Sequence, residues 1–181
     1  MDIRGAEDGD VEAIQAIYAH HVLTGLGTFE EVPPTPAEMA ERCAAVVGRG
    51  LPWLVAEEGG LVLGYAYAGP FRTRAAYRFA VEDSVYIAEA ARGRGIGKAL
   101  LTALIRECQA LGLRQMIGVI GDSGNRASIA LHRSLGFELK AVAPAVGWKF
   151  DRWVDVVWMQ RALGPGATAP PDGPGIPGMG P

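Results

Sequence analysis

The sequence predicts a mixed α/β domain on a central, largely antiparallel sheet whose later βαβ portion is parallel. Apolar runs of strand length alternate with stripes of helical period in the order βααβββαβαββ. A Glu58-Gly59-Gly60 turn joins two of the strand runs as a hairpin. A glycine-rich turn, Arg92-Gly93-Arg94-Gly95-Ile96-Gly97-Lys98, links the strand-like run Ser84 to Ala88 to a helical one.

Taken in order, Asp2 to Ala6 reads as a short first strand. Asp8-Gly9-Asp10 can cap a helix whose stripe is Val11, Ile14, Ile17 and Tyr18. Thr35-Pro36 opens a second helix, with proline at the first helical position, and it runs to about Gly48. Trp53 to Glu57 and Leu61 to Ala68 are the hairpin strands, and Ala80 to Ala88 is the next strand. Ala99 to Leu111 is a helix with stripe Leu100, Leu101, Leu104, Ile105 and Cys108, closed by Gly112. Gln115 to Ile120 is a strand, Asn125 to Leu135 a helix closed by Gly136, and Glu138 to Val146 and Arg152 to Arg161 the last strands.

These elements fill residues 1–163, one domain with a sizeable core in a chain of 181 residues. Residues 164–181 are rich in glycine and proline and almost lack large apolar side chains, so they read as a disordered tail. The hydrophobic fraction of 49% and charged fraction of 20% are ordinary for a globular chain. A net charge of −3 argues against nucleic acid as a partner. Locally, Arg72, Arg74, Arg78, Arg92, Arg94 and Lys98 gather six of the 17 basic residues, which suits small anionic ligands. Cys43 and Cys108 have no metal or redox spacing, the N-terminus lacks an apolar signal core, and no run is long enough to span a membrane. A cytoplasmic protein away from membranes is expected.

The glycine-rich turn has a specific chemistry. Glycine permits φ > 0 and close ligand approach. The unpaired N–H groups of the following first helical turn, with the helix dipole behind them, cradle an anion. A diphosphate-bearing cofactor is the natural occupant. The P-loop pattern fails because Lys98 comes too early and Ala99 stands where Ser or Thr should be. The dinucleotide fingerprint fails because Lys98 replaces its last glycine.

Arg92-x-x-Gly95-x-Gly97 resembles the acetyl-CoA pyrophosphate motif of the GNAT superfamily of N-acetyltransferases, and the element order is that family's order. A second motif, Asn125-x-x-Ser128-x-x-x-His132-x-x-x-Gly136-Phe137, agrees. Thr28-Phe29-Glu30, Arg72-Thr73-Arg74-Ala75-Ala76-Tyr77, Val81-Glu82-x-Ser84-Val85-Tyr86 and Val146-Gly147-Trp148-Lys149-Phe150-Asp151-Arg152-Trp153-x-Asp155 resemble the phosphinothricin acetyltransferase subgroup. That subgroup acetylates the α-amine of phosphinothricin, methionine sulfoximine, methionine sulfone and related amino acids. The resemblance implies a GNAT acyltransferase fold, acetyl-CoA as co-substrate, a small amino acid acceptor, a homodimer and no metal. It also implies that Val85, Tyr86 and Ile87 offer backbone groups to the pantetheine arm, and that Arg92, Gly93, Arg94, Gly95, Ile96, Gly97 and Lys98 hold the pyrophosphate.

The acceptor amine arrives protonated and must lose a proton before attacking the thioester. Glu82 is the candidate base or ammonium-binding carboxylate, against the alternative of a solvated strand-edge residue. Asp83 points to the opposite strand face and is the weaker competitor. Asn125, Ser128 and His132 share one helical strip. Asn125 and Ser128 are candidate cofactor contacts, Asn125 with a plain N-cap as its alternative, and Ser134 is a weaker one. Many GNAT enzymes have tyrosine at His132 as acid for the leaving thiolate; the subgroup has histidine. His132 reads as that acid, as a proton acceptor, or as a structural histidine closing its helix on the sheet. Arg72, Arg74, Ala75, Ala76 and Tyr77 form a candidate acceptor loop in which the arginine forks pair with carboxylate or phosphinate oxygens, unless they are surface charge. Phe29 is a pocket wall or core. Direct attack in a ternary complex is expected, with the cysteines taking no covalent part. A GNAT enzyme for another amine, such as a protein N-terminus or polyamine, and a non-catalytic acetyl-CoA sensor remain as alternatives.

Overall fold

In the computed structural model, which describes residues 1–179, one seven-stranded sheet runs through the domain. Its strands are β1 (Asp2–Gly5), β2 (Trp53–Glu58), β3 (Leu61–Pro70), β4 (Ala80–Ile87), β5 (Gln115–Gly121), β6 (Glu138–Lys149) and β7 (Arg152–Ala162), in the order β1-β2-β3-β4-β5-β7-β6. All neighbours are antiparallel except β4 and β5, the parallel pair expected of the later βαβ unit. The helices are α1 (Val11–Thr24), α2 (Pro36–Val47), α3 (Ile96–Ala110) and α4 (Arg126–Ser134), so the fold class and the element order follow the sequence.

Local chemistry sets the boundaries. Thr35 and Glu38 close a reciprocal capping box at α2, with Pro36 just inside it. Asp10, expected to help cap α1, has another task. Residues 8–10 form a single 3-10 turn, and the Asp10 carboxylate accepts two bonds from Arg4, at 2.7 and 2.9 Å. That ion pair ties the turn to β1. The third helix starts at Ile96, three residues before the expected Ala99, with Gly95 in the left-handed region as its N-cap residue.

Side-chain alternation sorts β4 into two faces. Trp53, Val55 and Tyr65 pack with Ile14, Ile17, Tyr18 and Val22 of α1 and Met39 of α2. Leu54, Ala66, Val81 and Met116 pack with Leu100, Leu101 and Leu104 of α3 on the other side. Each of these α3 leucines is fully buried, worth roughly 1.5–3 kcal/mol. Glu82, Ser84 and Tyr86 thus belong to the α1/α2 face, and Asp83, Val85 and Ile87 to the α3/α4 face.

Residues 164–181 were expected to be disordered because their composition offers little to bury. In the structure, residues 164–179 lie along the domain, and Gly180 and Pro181 fall outside the described residues. Composition missed two anchors: Ile176 and Met179 enter the α3-side core, 2% and 4% exposed.

Candidate active site

Register places the site. The parallel pairing of β4 with β5 runs only from Ala80 opposite Gln115 to Asp83 opposite Gly118. Beyond it β4 stays bonded to β3 through Ile87, and β5 to β7 through Gly121. The two strands diverge, and one backbone edge of Ser84 to Ile87 has no strand partner. Unpaired backbone N–H and C=O groups demand partners, so this seam suits an extended ligand with amide groups of its own. A cleft of about 710 Å³ opens there, lined by Val85, Tyr86 and Ile87 on one side and Val119 to Gly121 on the other.

The glycine-rich turn forms one end of the cleft. Gly93 and Gly95 have φ of 76° and 78°, conformations that side-chain-bearing residues rarely adopt. They let the chain turn so that Gly95, Ile96, Gly97 and Lys98, whose first-turn N–H groups lack helical acceptors, line the cleft with Arg92 and Gly93. Arg94 instead donates to Glu58 at 2.6 Å, and Arg92 lies 4.0 Å from Glu89. Both pairs are exposed, and an arriving phosphate can compete for such arginines at little cost.

Along α4, Ser128 and His132 line the cleft, as do Asn125 and Ser134. The Asn125 side chain accepts the Ser128 N–H at 3.2 Å, so its oxygen serves as the N-cap. Ser134 donates to the Leu131 carbonyl at 2.7 Å. His132 is 4% exposed, and both of its nitrogens are engaged. Nδ1 bonds the Ser128 carbonyl at 2.8 Å, and Nε2 meets Asp83 Oδ2 at 3.0 Å. Two oxygen acceptors are the arrangement of an imidazolium. Burial alone would lower its pKa, but the Asp83 hydrogen bond and charge, with the Ser128 carbonyl, raise it above the usual histidine value. Gly118 makes the pair possible, since a Cβ there would sit 2.8 Å from the imidazole.

Glu82 lies on the opposite face of β4 from this pair, so Glu82 and His132 are not one proton-transfer couple. Its carboxyl is about one-third exposed and 3.8 Å from Arg72. Burial lifts the Glu82 pKa, Arg72 pulls it back, Asp83 adds to the rise, and the balance is upward. Arg72 donates to the Phe71 carbonyl at 2.6 Å, with its guanidinium 4.2 Å from the Phe71 ring centre. Ala75, Ala76 and Tyr77 form one 3-10 turn beyond Arg74, and Tyr77 is half-exposed. Phe29 packs over Gly147 and beside Gly121, at the β5 end of the cleft. Thus Arg72 meets Glu82, but both of them, with Phe29, Arg74 and the 75–77 turn, stand outside the cleft lining.

Sequence reasoning missed several cleft residues. His21 bonds the Ile87 carbonyl through Nε2 at 2.9 Å, and Gly25, Leu26 and Gly27 line the cleft. The 25–30 segment is fixed from afar. Buried Lys149 donates to the Thr28 carbonyl at 2.9 Å, and the Tyr18 hydroxyl bonds Thr28 at 2.8 Å and Glu30 at 3.0 Å. No local pattern announces these contacts, although Thr28, Glu30 and Lys149 all fall within the segments that carry the family resemblance.

Comparison with known proteins places this geometry. The Acetyltransferase (GNAT) family profile matches residues 15–137. A phosphinothricin N-acetyltransferase of Alcaligenes faecalis is 54% identical over 170 residues, 94% of this chain and 86% of the relative. An L-methionine sulfoximine/L-methionine sulfone acetyltransferase of Pseudomonas aeruginosa is 44% identical, covering 93% of this chain and 98% of the relative. A crystal structure of a GNAT superfamily phosphinothricin acetyltransferase from Sinorhizobium meliloti in complex with AcCoA superposes with a TM-score of 0.93 at 50% identity, covering 98% of this chain and 96% of that one. The family match spans both the open seam and the glycine turn, and the relatives align over nearly the whole chain, so the resemblance read in the motifs is membership: this chain belongs to the GNAT family of acetyltransferases.

Proposed function

We propose that this protein transfers the acetyl group of acetyl-CoA to the α-amine of a small amino acid such as methionine sulfoximine, methionine sulfone or phosphinothricin. The observation that carries the reading is Glu82 on the last paired stretch of β4, two residues before the open seam, with a raised pKa and Arg72 beside it. The seam residues Val85 to Ile87 hold the pantetheine arm by its amides, and the 92–98 turn holds the pyrophosphate on first-turn N–H groups. Arg72 and Arg74 fix the acceptor's carboxylate or its phosphinate or sulfone oxygens, with Phe29 and the 75–77 turn as walls. Glu82 takes the ammonium proton, directly or through a water. The freed amine nitrogen then bonds to the thioester carbonyl carbon, the C–S bond breaks, and the extra proton on the new amide nitrogen passes to the departing sulfur, so CoA leaves as the thiol. Alignment of the two substrates in a ternary complex supplies much of the rate.

Direct attack fits the cysteines. Cys108 is wholly buried, which pushes its thiol up to about 12, and burial raises Cys43 as well. Neither favours an acyl-thiol intermediate, and the direct route calls for no metal. Of the readings open for His132, the fully bonded ring supports the structural one, closing α4 against the seam. We place the enzyme in the cytoplasm, with detoxification of such amino acid analogues as its role. We also propose a homodimer through the β6–β7 hairpin, where β6 is a sheet edge and Trp148, Phe150 and Trp153 are all more than half exposed.

The test is acetyl-CoA-dependent thiol release with a panel of free amino acids. Turnover of sulfoximine, sulfone or phosphinothricin is expected. Turnover of peptides or polyamines alone would reassign the acceptor, and tight acetyl-CoA binding with no turnover would make the protein a sensor. In the same preparation Gly95→Val is expected to weaken acetyl-CoA binding about tenfold by calorimetry, since the free turn would relax out of the left-handed conformation and binding would have to restore it at a cost of roughly 1–2 kcal/mol.

A further inference from the structure

We infer that residues 164–179 form a strap that positions the acceptor loop 71–79, with Arg114, Ile176 and Met179 as positioning residues for the amino acid substrate. The inference rests on the acceptor reading above for its kinetic meaning, but its geometry is independent of it.

The strap has two apolar anchors and one polar one. Ile176 and Met179 sink into the core shared with α3 and β5. Arg114, 7% exposed, sits just before β5. Its guanidinium donates to two carbonyls of the strap, from Nη2 to Pro170 at 2.6 Å and from Nη1 to Gly166 at 3.3 Å. Its backbone carbonyl accepts the Leu163 N–H at 3.0 Å, where the strap begins. Without the strap, a buried cation would lose its acceptors and two apolar side chains would lose their cover.

The same residues grip the end of the acceptor loop. The Arg114 N–H donates to the Phe79 carbonyl at 2.9 Å. The Ile176 N–H donates to the Arg78 carbonyl at 2.8 Å. Arg78 passes the constraint back into the loop, because both its backbone N–H and its guanidinium donate to the Ala75 carbonyl at 3.1 Å. Phe71 closes the base by donating to Ala80 at 3.2 Å. Between these fixed ends lies Arg72, the neighbour of Glu82. The strap lies on the α3 side of the sheet and Glu82 faces the α1/α2 side, so the coupling runs through loop backbone and touches no reacting atom. A loose loop would still carry Arg72 and Arg74 but would hold them in many orientations, which weakens acceptor capture and leaves the acetyl-CoA seam alone.

The experiment uses the full-length protein with Ile176→Ser and Met179→Ser together, and Ile176→Val as the conservative control. The double variant is expected to raise KM for the acceptor about tenfold, with KM for acetyl-CoA unchanged and kcat little altered. Amide hydrogens of residues 75–79 should exchange faster, and Ile176→Val should behave as wild type. Equal rises in both KM values, or unchanged exchange in 75–79, would overturn the inference. Should the double variant fail to fold, native-state exchange of the wild type decides: the Ile176 amide and the loop amides should open together as one unit. Loop opening independent of the strap would refute the coupling. A wild type inert toward every amino acid would sink the acceptor reading while leaving the exchange result to judge the strap.

Discussion

Glu82→Gln is expected to lower kcat/KM for the amino acid acceptor by about 10²–10⁴-fold and to leave acetyl-CoA affinity unchanged. Glutamine keeps the shape and can still bond an amine, but it cannot take its proton. The pH dependence gives a second handle. The active form is the carboxylate, so activity is lost as pH falls through the Glu82 pKa. Burial holds that pKa above the ordinary glutamate value, so the acid limb lies at higher pH than for an exposed glutamate. Arg72 opposes the rise. Arg72→Leu should therefore move the acid limb of kcat to still higher pH, beyond its effect on acceptor KM. A limb unmoved by this substitution, or a Glu82→Gln enzyme with near-normal turnover, would remove Glu82 from the role of base.

The largest stability effect is expected at the Asp83–His132 pair. Asp83→Ala strands a buried imidazolium, and breaking such a pair from one side typically costs about 3–5 kcal/mol. In a chain of this size that lowers Tm by roughly 10 °C. The pH dependence separates the ion pair from mere packing. The His132 pKa is raised in the fold: burial works against the rise, but the Asp83 bond and charge and the Ser128 carbonyl prevail. A raised value means the folded state binds the proton more tightly than the unfolded chain. The stability this provides is fully present below the unfolded histidine value, about 6.5, and fades as pH rises through the higher folded value. The deficit of His132→Asn against wild type, measured by urea unfolding, should thus shrink as pH rises above about 6.5 and through the raised folded value. A deficit constant with pH would mean that His132 contributes packing alone.

What could be read beforehand was what is local. The α3 stripe, the Thr35 cap, the Gly59-Gly60 turn and the glycine turn at 93–95 each depend on neighbours within a few residues, and each is where the sequence puts it. Family motifs likewise brought Asn125, Ser128 and His132 to the cleft. Tertiary partners were hidden. Asp83 was correctly assigned to the face opposite Glu82, yet nothing within β4 shows that a histidine 49 residues away completes it. Arg94 finds Glu58 across 36 residues, and the 164–179 segment is held by Arg114 more than 50 residues upstream. In each case the deciding term is the pairing of one polar group with another brought close only by the completed sheet.

The divergence of β4 from β5 also bears on how the molecule coheres. Four residue pairs, Ala80 to Asp83 against Gln115 to Gly118, are the whole strand-to-strand bond between the β1–β4 half of the sheet and the β5–β7 half. Past that point the sheet is unfinished, and under the proposed function the amides of the pantetheine arm would stand in for the missing stretch of ladder. Occupancy of the seam would then continue folding: it would stitch two halves that otherwise meet along a short hem, and the free energy of capture would be shared between gripping the guest and completing the host.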